Sequence, residues 1–118
     1  MPYDSVGFPN SVSATLTSGP LNDLGRTTIQ NYRRGSTDRL ILTPAPGGTT
    51  INSIDAAGCS DGFNLLIQNA SSTDNIIFTH LGGGQSSNQF SNEYGGSVLI
   101  PPLGAARCTY IVNKWQFA

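Results

Sequence analysis

His80 is the one histidine of the chain, and histidine is the side chain most often used for proton transfer near neutral pH. It ends an apolar stretch and directly precedes Leu81 and a run of glycines. A general base acts on a positioned nucleophile, and no Ser or Cys nucleophile motif surrounds His80. We therefore expect a half-buried histidine at a strand end. In a trimer, copies of His80 near the symmetry axis would instead hydrogen-bond or hold an ion.

The glycines at 82–84 form a second candidate site, because glycine-rich loops that follow strands can cradle phosphates. A phosphate loop also requires a helix N-terminus after it, and usually a Lys with a Ser or Thr. Here Gln-Ser-Ser-Asn follows at 85–88, so the pattern predicts a flexible polar loop instead. The loop at 82–92 is interpreted either as a tip that contacts a receptor or as a solvated surface turn.

The carboxylates Asp55, Asp61, Asp74 and Glu93 stand singly in turns, where such side chains commonly bond the local backbone. They form neither the paired acids of a glycosidase nor the alternating ligands of a calcium loop. A polysaccharide depolymerase would also need aromatic residues beside paired acids, and the aromatics here are scattered. We therefore predict that the chain is not an enzyme and that it has no cofactor and no metal site.

The composition disfavours two further classes of function. Only 11% of the residues are charged and the net charge is −1, so no basic face is expected and no nucleic-acid partner is predicted. No apolar run approaches the roughly 20 residues that span a bilayer, and no leader pattern is present, so we expect no membrane partner and a soluble, unprocessed chain. The cysteines Cys59 and Cys108 leave open both a disulfide and two buried thiols.

Short strands separated by turns are the elements that must position these residues. Within 62–69 and again within 75–80, alternate residues are apolar, which is the pattern of half-buried strands. The few polar residues between these runs predict a hairpin. The runs at 96–100 and 107–112 predict a second pair, and Trp115 begins a piece that would close the sheet.

Two earlier strands are predicted at 39–43 and 50–54, which brings the count to about seven. Regularly spaced short strands with turn signals indicate an all-β chain that forms a β-sandwich or a jelly roll. The predicted sheet domain covers 39–118.

Residues 1–38 differ from the rest, because their hydrophobic residues are isolated and follow no period. We predict an extended N-terminal arm whose ordering requires a partner surface. The alternatives are a locally packed terminus and a first strand of the sandwich. The arm residues expected to contact the partner are Tyr3, Phe8, Leu16, Leu21, Leu24, Arg26, Tyr32, Arg33 and Arg34.

Several strands carry apolar residues on both faces, although a sandwich buries only one face of each sheet. Leu66, Ile77 and Ile111 occupy the second face. We therefore predict a homotrimer whose interface contains these three residues and His80. The alternative is that the protein's own arm or loops cover them.

The order of short motifs in 40–118 resembles small β-sandwich modules of tailed bacteriophages. These motifs are Leu-Ile-Gln-Asn, Ser-Ser-Thr, Ile-Ile-Phe-Thr-His, Gly-Gly-Ser-Val-Leu-Ile-Pro-Pro, Cys-Thr-Tyr-Ile-Val and Lys-Trp. The resemblance implies a structural virion protein, made in the host cytoplasm. This would be a homotrimeric capsid cement, or decoration, protein that binds the outer surface of the major capsid protein and stabilises the shell. The alternative it implies is a receptor-binding tip or adaptor of a tail or head fibre.

Overall fold

The computed structural model describes residues 10–25, 28–56, 59–92 and 95–117. These residues form eight β-strands and one short 3₁₀ helix at Ser86–Asn88. In chain order the strands are β1 (Ser11–Thr15), β2 (Arg39–Thr43), β3 (Thr49–Ile51), β4 (Phe63–Asn69), β5 (Ile76–Phe78), β6 (Val98–Ile100), β7 (Ala105–Ile111) and β8 (Lys114–Phe117). The all-β prediction is confirmed.

The strands form two sheets with the orders β1-β2-β4-β7-β8 and β3-β5-β6. The sheets face each other across the core, where the ring centroids of Phe78 and Phe117 lie 5.0 Å apart. The indole of Trp115 donates a hydrogen bond across the same core to the carbonyl of Ile54, at 3.0 Å. This arrangement is compatible with a β-sandwich. The jelly-roll alternative is not confirmed, because β1-β2, β2-β4 and β3-β5 are parallel pairs whereas a jelly roll is antiparallel.

The parallel pairs arise because the chain alternates between the two sheets. From β2 to β5 each strand lies in the sheet opposite to the one before it, so that β2 pairs with β4 and β3 pairs with β5. The segment between β1 and β2 follows the same path, because Leu21 and Leu24 form isolated parallel bridges to Ile51 and Ile54. Each such passage of the chain around the core is called a coil below. The first part of the chain therefore winds in stacked coils, as in a short β-solenoid.

Both predicted hairpins are wrong. The strand β4 pairs antiparallel with β7, and β5 pairs antiparallel with β6, so each expected partner lies in the other sheet. The polar residues between β4 and β5 form a crossover between sheets instead of a hairpin turn. The predicted closing piece is confirmed, because β8 pairs with β7 at the edge of the larger sheet.

The alternation of faces within strands is confirmed. Leu65 and Ile67 of β4 are fully buried, and so are Ile76 and Phe78 of β5. On β7, however, the inward residues end at Tyr110. Val112, the last residue of the strand predicted at 107–112, lies in the turn after β7 and is exposed.

The prediction of an extended arm does not hold for the described residues between 10 and 38. The strand β1 pairs with β2 at the edge of the larger sheet. Leu16, Leu24, Ile29 and Tyr32 are buried in the same core as the strand residues. The alternative, in which this segment supplies a first strand of the sandwich, describes these contacts.

Candidate docking surface

The two ends of the sandwich carry different loops. Because β1, β2 and β4 are parallel, all three begin at one end, which we call the entry end, and finish at the other, the exit end. The entry end holds Asn10, the first described residue, whose carbonyl accepts the backbone N–H of Asp38 at 3.3 Å. Two of the three predicted docking arginines, Arg33 and Arg34, lie in the turn that leads to Asp38 and therefore share this end.

Buried neighbours hold the turn that carries these arginines. The ring of Tyr32 is buried, and its hydroxyl donates to the carbonyl of Asp55. Burial raises the pKa of the Tyr32 phenol, so it stays neutral and keeps this donor. On the other side of the turn the hydroxyl of the buried Thr37 accepts the backbone N–H of Arg33 at 2.9 Å. The arginines are thus presented on a fixed turn.

The two guanidinium groups differ in their partners. Arg34 lies 3.2 Å from the carboxylate of Asp55, with its side chain 54% exposed. Arg33 donates to the carbonyl of Tyr32 at 3.1 Å, and within the described ranges it forms no ion pair. Exposed ion pairs contribute little free energy, but Asp55 does offset the charge of Arg34. Arg33 therefore carries the less compensated charge.

Two grooves adjoin Arg33. One has a volume of about 180 Å³ and is lined by Tyr32, Arg33, Arg34 and Asp55. The other has a volume of about 260 Å³ and is lined by Asn10, Ser11, Val12, Asn31, Arg33, Ser36 and Thr37. Asn10 lines the second groove, so residues 1–9 join the described chain beside Arg33. The coiled path of the chain brings Asp55 and Asn10 to this end. Nothing in the local sequence indicated this, because the path depends on contacts between distant residues.

The remaining predicted arm contacts divide into three groups. Leu16, Leu24 and Tyr32 lie in the protein's own core and are not available to a partner, because each fills the space between the sheets. Leu21 is half-buried and bridges to Ile51. The last three predicted contacts lie outside the described residues: Tyr3, Phe8 and Arg26.

The four predicted trimer-interface residues are not brought together. Leu66 and Ile111 lie on the outer face of the larger sheet, because the core takes their neighbours on β4 and β7. Ile77 lies on the outer face of the smaller sheet, on the opposite side of the sandwich. The Nδ1 atom of the half-buried His80 accepts the backbone N–H of Asn92 at 3.0 Å. These residues do not form one continuous patch.

The glycine loop is packed on the body of the protein, which corrects the expectation of a flexible loop. Below it, the Asn52 amide donates to the Asn22 side-chain oxygen at 2.8 Å. A Cβ atom at Gly83 would lie 2.6 Å from that oxygen, so only glycine allows this approach. Asp23 then fixes the next part of the loop, since its Oδ1 accepts the backbone N–H of Gln85 at 2.8 Å. A loop held in this way is poorly suited to adapt to a receptor.

Asn69 is the first residue of an Asn-Ala-Ser glycosylation pattern, but it has a structural role. Its side chain is 2% exposed. Its Nδ2 donates to the carbonyls of Asp74, Ile100 and Pro101 at 2.8, 3.1 and 3.2 Å. The amide joins the crossover after β4 to the end of β6, and in the folded chain it is not accessible to a glycosylating enzyme.

The cysteines are both free thiols, with Cys108 buried and Cys59 half-buried. Burial raises the pKa of each thiol, which lowers the fraction of reactive thiolate. Across the described ranges no cluster of three His, Cys, Asp or Glu side chains is placed to hold a metal ion. In the same residues no helix has the length and apolarity needed to cross a membrane.

Comparisons with family models, with curated proteins and with solved structures gave no significant match. The functional argument therefore rests on the geometry of this chain. The arginine turn at the entry end, near Asn10, combines an exposed guanidinium with two adjoining grooves.

Proposed function

We propose that this chain is a structural virion protein, a homotrimeric decoration protein that binds the outside of a phage shell through its entry end. The observation that carries the proposal is the arginine turn. Arg33 is exposed and lacks an acidic partner within the described ranges, and it lies between two grooves. Buried Tyr32 and Thr37 hold this turn in place.

A fixed arginine is well suited to a repeated, assembled surface. Its planar guanidinium can form two parallel hydrogen bonds to a carboxylate, and a turn held by buried neighbours loses little conformational entropy on binding. Arg34 is already paired with Asp55, so Arg33 supplies most of the expected interaction. Residues 1–9 join beside it and would add a second contact to the same partner, which raises the effective concentration of each.

Binding of this kind stabilises a shell by mass action. A protein that binds assembled subunits and not dissociated ones shifts the equilibrium towards assembly. This proposal needs no catalytic group, and a rigid all-β body with surface-directed contacts is sufficient for it.

The test is co-sedimentation of the purified chain with phage shells stripped of decoration protein, beside a binding assay on host cells. We expect saturable uptake by shells and none by cells. Binding to cells without uptake by shells would contradict the proposal and would favour the fibre-tip alternative.

A further inference from the structure

The imidazole of His80 contacts the end of the loop that follows β5. Its Nδ1 atom accepts the backbone N–H of Asn92 at 3.0 Å. Next to it along the chain, the backbone N–H of Leu81 donates to the carbonyl of Phe90 at 2.9 Å. These two hydrogen bonds join the start of the loop to residues 89–92, which we call the return segment. The loop is therefore closed at its base.

The return segment covers one edge of the larger sheet. The backbone N–H of Ser91 donates to the carbonyl of Trp115 at 2.8 Å, and the backbone N–H of Trp115 donates to the carbonyl of Gln89 at 2.9 Å. Between these bonds Phe90 is fully buried, and its ring stacks on Phe117 with the ring centroids 5.3 Å apart. Because β8 is the last strand of its sheet, the return segment pairs an edge that would otherwise be open.

Asn92 depends strongly on the hydrogen bonds that it makes. The residue is 5% exposed, and its Nδ2 donates to the carbonyls of Phe78 and Gly96 at 3.3 and 2.8 Å. Its Oδ1 is buried and has no hydrogen-bond partner among the described residues. A buried polar group without a partner is costly, so the loss of His80 as acceptor would leave a second unpaired group at the same residue.

The hydrogen bond to Asn92 requires a neutral His80. A neutral imidazole has one N–H and one acceptor nitrogen, so acceptance at Nδ1 places the proton on Nε2. A protonated imidazole carries N–H groups at both nitrogens and has no acceptor left. Histidine gains this proton as the pH falls below neutral. Acid should therefore remove the bond and place two donors against each other.

The charged groups around the loop do not replace this bond. Asp23 and Lys114 are bonded to the loop between residues 85 and 88. Within the described ranges no charged group forms an ion pair with His80. Glu93 lies outside those ranges, directly after the return segment. A carboxylate near the ring would favour the protonated form, which is the form that cannot accept the hydrogen bond.

We propose that the protonation state of His80 controls the return segment. The neutral ring holds this segment against the edge of β8, and the protonated ring releases it. The release is a local opening whose population rises roughly 10- to 100-fold, because one buried hydrogen bond is lost. The glycine part of the loop stays bound to Asn22, Asn52 and Asp23. This inference goes beyond the proposed function and does not depend on binding to a shell.

The test is amide hydrogen exchange of the full chain at about pH 7.5 and about pH 5, on either side of the range in which histidine titrates. Each rate is divided by the rate of an unstructured peptide at the same pH, and the resulting protection factor reports the local opening equilibrium. The amides of Ser91 and Asn92 report on the return segment. The amide of Leu16 is the control, because it donates to the carbonyl of Thr43 where β1 pairs with β2.

Two variants separate the acceptor from the proton. His80→Asn keeps an acceptor, because the side-chain oxygen of asparagine takes the position of Nδ1 and does not titrate. His80→Phe keeps a ring but offers no acceptor at either pH. Both should remain folded by the emission of buried Trp115, since His80 is only half-buried and is not part of the apolar core.

In the unmodified chain we expect the protection factors of Ser91 and Asn92 to fall roughly tenfold or more between the higher and the lower pH. That of Leu16 should not change. In His80→Asn all three should be independent of pH. In His80→Phe the two amides of the return segment should be weakly protected at both pH values.

Three results would overturn the proposal. The first is equal protection of Ser91 and Asn92 at both pH values in the unmodified chain. The second is the same fall in His80→Asn, which would assign the effect to another group. The third is an equal fall at Leu16, which would indicate a loss of global stability. Because the measurement uses no shells, failure of the proposed function would leave this inference intact.

Discussion

Deleting residues 1–38 should unfold this protein. Leu16, Leu24 and Ile29 lie in this segment and are buried in the core. Burial of such a side chain contributes roughly 1.5–3 kcal/mol, so losing the three removes about 5–9 kcal/mol. That is comparable to the roughly 5–15 kcal/mol by which folded domains are stable. The deletion also removes β1 and so exposes the edge of β2.

Trp115 provides the assay, because it is the one tryptophan of the chain and is fully buried. The full chain should show blue-shifted emission and one cooperative urea transition. The 1–38 deletion should show the emission of a solvent-exposed indole and no transition. A deletion of residues 1–9 is the control, and it should keep the transition because the described core begins at Leu16. A cooperative transition in the 1–38 deletion would refute the reasoning and would restore the separate arm.

Three further predictions concern stability. Gly83→Ala should lower the free energy of unfolding by about 1–3 kcal/mol, because the new Cβ would push apart the hydrogen-bonded side chains of Asn22 and Asn52. Gly96→Ala is the control, because a Cβ there meets open space, and it should be nearly neutral in the same urea titration. Val112→Gly should raise Tm by about 4 °C in a thermal melt, since a β-branched residue with φ 51° is strained; an unchanged or lower Tm would contradict this. Burial raises the pKa of Cys108 and Tyr32 above their ordinary values of 9.0 and 10.0, so both stay neutral in the folded chain while the unfolded chain ionises. The free energy of unfolding should therefore be independent of these two groups below pH 9 and should decrease above it by up to about 1.4 kcal/mol per pH unit and group. Urea titrations between pH 8 and 11 should show this decrease, and the decrease should be less steep in Tyr32→Phe. A free energy of unfolding that does not change with pH would refute the prediction.

The features predicted correctly from the sequence are those that depend only on residues close together in the chain. The apolar alternation in β4 and β5 reports directly which side of each strand is buried, and this prediction was correct. The pairing of these strands was wrong because adjacency along the chain does not say which sheet a strand joins. Here the connection from β4 to β5 passes from one sheet to the other, and the partner of β4 is β7, which follows far later in the chain.

The first 38 residues show a second limit of the sequence. Leu16, Leu24 and Tyr32 are separated by irregular backbone, so they produce no period although all are buried. Hydrophobic residues that are isolated in the sequence favour an extended arm, but the path of the chain places each of these three between the sheets. The basic pair at Arg33 and Arg34 was visible in the sequence, but its geometry was not, because the residues around it come from distant coils.

The most direct test of the docking surface compares the shell affinity of two single variants. Arg33→Ala removes the guanidinium that lies between the two grooves at the entry end. Arg107→Ala removes the same charge from an exposed position on β7. We expect Arg33→Ala to weaken binding to stripped shells roughly tenfold or more, with a smaller loss at higher salt, and Arg107→Ala to bind as the unmodified chain does. Equal affinities for Arg33→Ala and the unmodified chain would contradict the claim that the entry end docks on the shell.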